Sequence, residues 1–306
     1  VTDGAAGMVA DVAGNLYLTS GIHDQIWKID VSGHKTLYAG SGTRGYADGP
    51  ANVAQFNGPG TIAIDKDGNL YIGEGGNLRI RKITPDGTVT TLAGNGKQIV
   101  VNGTGDNASF FSPRGIVVDD SGNVYVADTY ADVIRKITPP GEVTTYAGTG
   151  AQGSEDGVAL SATFYNPIGL ACDAYGNIYL MDGANNKVRK ISSSGIVSTL
   201  GDATASTVAL SEDGTTLFRI LRENVATIGL SGYSIDKLLP PGLKFDTKTG
   251  YISGAPTAAS SATDYHITAY NAGGSSTATV SIAVQNEDDA EIFAPQISYV
   301  TPQNYI

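Results

Sequence analysis

The chain has 306 residues, a formal net charge of −11 at pH 7, three histidines and one cysteine. This acidic balance argues against nucleic acid or an anionic membrane surface as a partner, and no run approaches the roughly 18 apolar residues of a membrane span. Because Cys172 is the only cysteine, an internal disulfide is excluded. At this length the chain can hold more than one folded module.

One short motif, Gly-Asn-aliphatic-Tyr, recurs through the first two thirds of the chain. It begins at Gly14, Gly68, Gly122 and Gly176, so successive copies are 54 residues apart. A spacing that does not drift by one residue indicates a repeat architecture in which each period is one structural unit. Such a unit stacks on its neighbours to bury its apolar face.

Each period predicts four short antiparallel strands and no helix. The strands predicted in the third copy are residues 116–119, 124–127, 133–137 and 142–146. The third strand recurs at 79–83 and 187–191 in the neighbouring copies. Four such strands are typical of a β-propeller blade. A weaker fifth copy, residues 207–218, shows only its first two strands.

Three insertions, residues 40–59, 94–113 and 148–167, connect the outer strand of one predicted blade to the inner strand of the next. They are expected on one rim, where repeat proteins generally meet their ligands. Phenylalanines and prolines at equivalent positions are expected to anchor each loop between blades. The polar residues of the loops are the candidate ligand-binding residues: Arg44, Tyr46, Asp48, Asn102, Asp106, Glu155 and Asp156.

Acidic and basic residues also recur at a separation of seven. On adjacent antiparallel strands this spacing places a carboxylate beside a guanidinium, which can donate two parallel hydrogen bonds. A pair repeated in several blades predicts a structural latch, because catalysis needs asymmetry. The predicted pairs are Glu74 with Arg81, Asp128 with Arg135, and Asp182 with Arg189.

The third copy resembles the NHL-repeat signature through residues 113–119, 122–128 and 134–137. The resemblance covers roughly residues 5–219 and implies an all-β fold, a β-propeller with six blades when complete, of which four to five repeats are visible. The first copy departs from the pattern, since Ser20 and Trp27 stand where the other copies have the latch acid and arginine.

The remaining chain resembles the immunoglobulin-like, cadherin-like modules of bacterial surface proteins. The resemblance rests on residues 239–256 and on two predicted strands at 265–274 and 278–284. We therefore predict three segments: an NHL-type β-propeller at residues 1–222, a partial immunoglobulin-like β-sandwich at 223–286, and an acidic linker with the start of a further module at 287–306.

These features predict a secreted or cell-surface binding scaffold rather than an enzyme. The propeller rim would recognise a protein or glycan, and the immunoglobulin-like modules would act as a stalk, within a larger surface or secretion assembly. A further hypothesis makes the propeller a passive part of a large secreted adhesin. The acidic linker at 286–291 could ligate calcium, although a solvated charge run explains it as well; no other cofactor is expected.

The alternative is a metal-dependent propeller hydrolase or lyase with its site at the central channel. Such an enzyme needs a metal cage or an acid–base pair there. The asymmetric polar residues expected near a channel mouth are His23, Asp24, Glu74 and Tyr130. No two histidines have the spacing of a compact zinc site.

Overall fold

The computed structural model describes residues 5–202, 205, 207–211, 216–221, 224–230, 232–246, 250–271 and 274–284. The regular structure in these ranges is β-strand apart from two three-residue 3₁₀ turns, so the predicted all-β fold class is confirmed. Within the same ranges no helix has the length and apolar character needed to cross a membrane. The chain divides into two compact units, Val1–Ala209 with Ile220–Asn224 and Leu210–Arg219 with Val225–Ile306.

Four antiparallel sheets of the first unit coincide with the four copies of the repeat and are called blades 1 to 4. Blade 1 consists of Ala5–Ala10, Leu16–Ser20, Gln25–Ile29 and Lys35–Ala39. Blade 2 consists of Pro59–Ile64, Leu70–Glu74, Arg79–Ile83 and Thr88–Ala93. Blade 3 consists of Pro113–Val118, Val124–Asp128, Val133–Ile137 and Glu142–Ala147. Blade 4 consists of Pro167–Cys172, Ile178–Asp182, Lys187–Ile191 and Ile196–Asp202.

The order of strands within a blade follows the order of the sequence. First strands of successive blades lie beside one another and are therefore innermost, while fourth strands are outermost. The third strands of blades 2, 3 and 4 begin and end at the predicted residues. A three-stranded sheet follows blade 4, formed by Thr207–Leu210, Thr216–Leu221 and Asn224–Gly229.

The repeated motif closes the hairpin between the first and second strands. In blade 2, Asp65 Oδ1 accepts the backbone N–H groups of Asp67 and Asn69 at 3.0 and 2.8 Å. Its Oδ2 accepts Asn69 Nδ2 at 2.8 Å and the Tyr71 hydroxyl at 2.9 Å. Asp11, Asp119 and Asp173 accept the equivalent four hydrogen bonds in the other blades. The motif is therefore a structural turn, and its invariant asparagine and tyrosine are donors to one carboxylate.

The insertions extend the blades that follow them. Each adds a two-residue strand to the outer edge of the next blade by pairing with its fourth strand. The added strands are Gly49–Pro50, Gly103–Thr104 and Gly157–Val158. Two residues are too few for an alternating pattern, so the sequence does not predict these strands.

Two ends of the blades are distinguished below. The insertion side is the end that carries residues 40–59, 94–113 and 148–167, together with the turns that connect second to third strands. The turn side is the end that carries the hairpins centred on the repeated Gly-Asn motif. The first strand of each blade runs from the insertion side to the turn side.

Apolar side chains fill the spaces between successive blades. Between blades 2 and 3, Phe110 is fully buried and packs in one cluster with Ile80 and Val126. Phe56 and Phe164 are fully buried in the equivalent clusters on either side. Each such ring contributes about 1.5–3 kcal/mol through burial of its apolar surface, so each insertion is fixed between two blades.

Blade 1 presents a more open face than the other blades. A groove of about 200 Å³ lies on it, lined by Leu18, Trp27, Ile29 and neighbouring residues. The residues one period later, Ile72, Arg81 and Ile83, are fully buried. Lys35 Nζ lies 4.4 Å from the centre of the Trp27 ring.

The second unit contains a long hairpin of Ser260–Asn271 with Gly274–Val284. Gly232–Ile235 pairs with the first of these strands, and Leu243–Phe245 pairs with Ile252–Gly254. The two strands predicted here from alternation are thus present, but both begin earlier than predicted and the first ends at Asn271 rather than at residue 274. The predicted linker and further module at 287–306 lie outside the described residues.

Candidate functional site

A fully buried arginine anchors each insertion to its blade. Arg81 Nη1 donates to the Gln55 carbonyl at 2.9 Å and to Glu74 Oε2 at 3.0 Å. Its Nη2 donates to the Ala47 carbonyl at 2.8 Å and to Asp48 Oδ1 at 2.6 Å. The guanidinium also lies over the buried Phe56 ring, 5.1 Å from its centre. The middle and the later part of the insertion are therefore held by one side chain, which with its acidic partner forms the latch.

The carboxylate of each latch binds the end of the same insertion. Glu74 Oε1 accepts the backbone N–H of Asn57 at 2.9 Å, and Asp182 Oδ1 accepts that of Tyr165 at 2.7 Å. Asp128 accepts the backbone N–H groups of Phe111 and Ser112. Burial raises the pKa of the Glu74 carboxyl, and the Arg81 guanidinium and hydrogen bonds from Asn57 and Asn77 oppose that rise.

The three latches are not identical. Arg189 resembles Arg81, with Asp182 at 2.7 Å and Asp156 at 2.8 Å. Arg135 has Asp128 at 3.5 Å, and its Nη2 donates to Asn102 Oδ1 at 2.8 Å. The latch arginine of blade 3 therefore has one carboxylate partner, whereas those of blades 2 and 4 have two. Desolvation lowers the pKa of Arg135, although Asp128 opposes the shift.

Three of the candidate ligand-binding residues belong to these latches. Asp48, Asn102 and Asp156 face the buried arginines, which sequence analysis did not foresee because the partners lie 33 residues away along the chain. Asp48 and Asp156 also accept hydrogen bonds from the backbone and hydroxyl of a threonine in the fourth strand. The structure thus gives these three residues a structural contact, whatever else they bind.

Two further candidates have defined partners on the insertion side. Arg44 Nε donates to Asp24 Oδ2 at 2.9 Å, and Asp24 in turn accepts the backbone N–H of Gly58 at 2.8 Å. Tyr46 lies under the Arg79 guanidinium, 3.9 Å from the centre of its ring, and its hydroxyl lies 3.0 Å from Thr91 Oγ1. Tyr46 is still 47% exposed, so one face of a fixed aromatic ring reaches solvent.

The remaining candidates, Asp106 and Glu155, have exposed side chains. Asp106 lies in the 3₁₀ turn Gly105–Asn107 within the second insertion. The main chain of Glu155 is anchored, since its carbonyl accepts Arg189 Nη2 at 2.9 Å. Both residues are therefore available for contact on the insertion side.

A second arginine–tyrosine pair was missed as such by sequence analysis. Arg114 lies 4.9 Å from the centre of the Tyr130 ring, and its Nη2 donates to the Tyr130 hydroxyl at 3.1 Å. Arg114 is the second residue of the innermost strand of blade 3, and Tyr130 lies in the 3₁₀ turn Thr129–Ala131. Neither residue recurs at the period of the repeat, and this asymmetry is the sequence signal that could have found them.

The other residues proposed for a channel mouth have separate contacts. His23 Nδ1 lies 2.9 Å from Ser20 Oγ, while Asp24 and Glu74 bind backbone N–H groups and arginines. Across the described ranges, no three His, Cys, Asp or Glu side chains are grouped to hold a metal ion. The proposed calcium linker at 286–291 falls outside those ranges.

Comparison with known families defines the class of protein. The family described as "Putative Ig domain" matches residues 188–285, and the family described as "NHL repeat" matches residues 110–131. The second match covers the end of the second insertion, the first hairpin of blade 3 and the turn that contains Tyr130. The chain combines NHL-type β-propeller blades with an immunoglobulin-like domain.

Several longer proteins share part of this sequence. Protein SUPPRESSOR OF QUENCHING 1, chloroplastic, from Arabidopsis thaliana is 28% identical over 189 residues, which are 58% of this chain and 18% of that protein. Teneurin-3 from Mus musculus is 32% identical over 51% of this chain and 6% of its own length. NHL repeat-containing protein 3 from Homo sapiens is 31% identical over 39% and 37%. The chain therefore spans only a minor part of these relatives.

Solved structures with similar folds include a chain from a protein complex and a nutrient binding protein. A chain in the nidogen/laminin complex has a TM-score of 0.55 at 19% identity, over 74% of this chain and 76% of that one. An auxiliary nutrient binding protein from Bacteroides thetaiotaomicron has a TM-score of 0.51 at 24% identity, over 64% and 48%. At these identities the likeness concerns the fold.

Proposed function

We propose that this protein is a non-enzymatic binding scaffold whose propeller recognises a protein or glycan through its insertion side. The immunoglobulin-like domain acts as a stalk or spacer. The protein works outside the cell, either secreted or at the cell surface, because its second domain resembles modules of surface proteins. Its acidic charge disfavours nucleic acid as a partner.

The observation that carries this proposal is the pairing of rigid loops with exposed aromatic side chains. Tyr46 and Tyr130 are 47% and 52% exposed, yet each is fixed against an arginine. Tyrosine and arginine are enriched among the residues that dominate binding energies at interfaces. Loops that are already anchored lose little conformational entropy on binding, so their contacts translate more fully into affinity.

The similar folds agree with this role without establishing it. One similar chain lies in a protein–protein complex and another is a nutrient binding protein. Their low identities limit them to supporting the propeller fold. The insertion side is therefore proposed on the chemistry of its own residues.

The proposal can be tested with two triple variants of the same chain. The insertion-side variant is Tyr46→Ser/Asp106→Asn/Glu155→Gln, and the matched turn-side variant is Tyr175→Ser/Asp120→Asn/Lys66→Gln. Both would be screened with the wild type against glycan arrays and arrays of purified extracellular proteins. We expect binding signals that the insertion-side variant loses and the turn-side variant keeps. Signals lost only by the turn-side variant would contradict the proposed surface.

A further inference from the structure

Arginines of the blades occupy only two kinds of place. One set is buried in the latches: Arg81, Arg135 and Arg189. The other set lies on the insertion side: Arg44, Arg79 and Arg114. In a chain with a net charge of −11, the arginines of blades 1 to 4 and their insertions that lie outside the latches are therefore all at one end of the blades, which also carries the exposed Asp106 and Glu155.

Two of the three insertion-side arginines are held in place without a carboxylate partner. Arg44 forms an ion pair with Asp24 at 2.9 Å. Arg79 and Arg114 instead stack on tyrosine rings at 3.9 and 4.9 Å, and within the described chain neither has a carboxylate oxygen within 4.0 Å. Arg79 Nη1 also donates to the Asn77 carbonyl at 3.0 Å, its Nε is buried, and Arg114 Nη2 donates to the Tyr130 hydroxyl. Stacking and these bonds fix each guanidinium plane and leave its other Nη–H donors to bind a carboxylate.

Space for a ligand exists beside Arg114. The neighbouring inner strand is that of blade 2, and it has Gly60 where blade 3 has Arg114. The following turn has Gly75 and Gly76 where blade 3 has Thr129 and Tyr130. A Cβ placed on Gly60 or Gly75 would meet no atom closer than 3.9 Å. A Cβ on Gly76, at the position of Tyr130, would instead meet the Asn57 side chain. Blade 2 is therefore open beside Arg114, whereas Asn57 fills the position equivalent to Tyr130.

The second insertion adds apolar surface to the same side. The consecutive residues Ile99, Val100 and Val101 are 49%, 42% and 38% exposed, respectively. The loop passes close to Arg79, whose Nη1 lies 2.7 Å from the position of a Cβ on Gly96. Aliphatic side chains of this kind suit the apolar core of an interface with a protein partner.

Resting on the proposed function, we propose that the insertion side binds an acidic protein segment. Its carboxylates pair with Arg79 and Arg114, and its apolar residues contact Ile99–Val101. Charge complementarity explains why an acidic chain keeps two arginines unneutralised on one side, since such charges steer association and select the partner. The class of partner is thus an extended peptide or surface segment rich in Asp or Glu and interspersed with aliphatic residues.

The test uses three probes on the intact 306-residue chain: a synthetic peptide alternating Glu and Leu, the same peptide with Gln for Glu, and polygalacturonate. Fluorescence anisotropy would compare the wild type, Arg79→Gln/Arg114→Gln, and the control Lys66→Gln, which removes a charge on the turn side. We expect the Glu–Leu peptide to bind most tightly. The double variant should weaken it by roughly tenfold or more, as loss of charge-assisted hydrogen bonds implies, while the control should leave it unchanged.

Four results would overturn the inference. These are equal binding by wild type and double variant, equal affinity for the Gln–Leu peptide, arginine-dependent binding of polygalacturonate alone, and absence of binding to every probe. The array experiment with the two triple variants tests the proposed function separately. If the insertion side binds a neutral partner, that experiment would still support the proposed function while the acidic-segment inference fails. Thermal unfolding of each variant confirms that loss of binding is not loss of fold.

Discussion

At the scale of single residues, the aspartate before each Gly-Asn motif explains why the repeat has its signature. Burial alone would raise the pKa of Asp65, but hydrogen bonds from Asn69 and Tyr71 outweigh it and the pKa lies below its ordinary value of 3.8. The Tyr71 pKa is raised by burial and by the same aspartate. The Gly-Asn-aliphatic-Tyr motif contains the side-chain donors of this turn, Asn69 and Tyr71, but not Asp65, the acceptor that they share.

Asp65→Asn should lower the free energy of unfolding by about 1–2 kcal/mol near neutral pH, because one charged acceptor of four hydrogen bonds is lost. A depressed folded-state pKa gives stability that is present above the ordinary pKa and lost as pH falls through the folded value. The difference between variant and wild type should therefore shrink below about pH 4. Urea unfolding across that range measures it.

The control for this variant is Asp67→Asn in the same turn. Asp67 is exposed and contributes its backbone N–H to Asp65, so changing its side chain should alter stability by less than about 0.5 kcal/mol. A difference between Asp65→Asn and wild type that stayed constant down to pH 2 would show that the carboxylate charge is not responsible.

At the scale of elements, the latches couple each insertion to its blade. Because one latch has Asn102 where another has Asp48, exchanging Asn and Asp at these two positions tests the contribution of the second carboxylate. Asn102→Asp should stabilise the protein by about 1 kcal/mol, because it gives Arg135 the second carboxylate that Arg81 has. Asp48→Asn should destabilise blade 2 by a similar amount. Denaturation midpoints of the two variants provide the measurement, and loss of stability in Asn102→Asp would show that Arg135 gains nothing from a second carboxylate.

The start of the second insertion makes a separate prediction. Gly94 has φ 105°, and a Cβ there would lie 2.7 Å from the Leu78 carbonyl oxygen. Gly94→Ala should destabilise the protein by about 2–3 kcal/mol, through backbone strain and that contact. Gly105 also has a positive φ, 58°, but no atom within 4 Å of its Cβ. Gly105→Ala should cost only about 1 kcal/mol; equal losses by thermal unfolding would count against the steric explanation.

The strands of the blades were predictable from sequence, and the insertions only partly so. Alternating apolar residues and Gly-containing turns defined Val133–Ile137 and its equivalents. Phe110 was expected between blades and is fully buried there. The role of Asp48 was not predictable, since its arginine is 33 residues distant and the link between them exists only once the insertion folds back.

At the scale of the whole molecule, blade 1 differs from the blades that follow it. It has Ser20 and Trp27 in place of a latch, and Met8 is 63% exposed where Ile62 of blade 2 is 7% exposed. In stacked repeats the stability of a unit depends on the interfaces with its neighbours. Blade 1 should therefore open before blades 2 to 4.

Trp27 is the chain's single tryptophan, so its fluorescence reports on blade 1 alone. We expect its transition in urea to precede the loss of far-ultraviolet circular dichroism, which averages over all strands. Trp27→Phe should remove the fluorescence signal and leave the dichroism curve in place. Coincident transitions for the two probes in the wild type would indicate that the blades unfold as one cooperative unit.

The latch arginines reach much of each insertion through main-chain carbonyls, such as those of Ala47 and Gln55 for Arg81. A carbonyl is supplied by any residue type, so the anchoring places few demands on the side chains between the fixed points. Exposed side chains between those points, such as Thr43, Lys97 and Gln152, can therefore change with little loss of stability. The side chains of the insertions could thus be exchanged, by evolution or by grafting, to give new binding specificities while the blades stay the same.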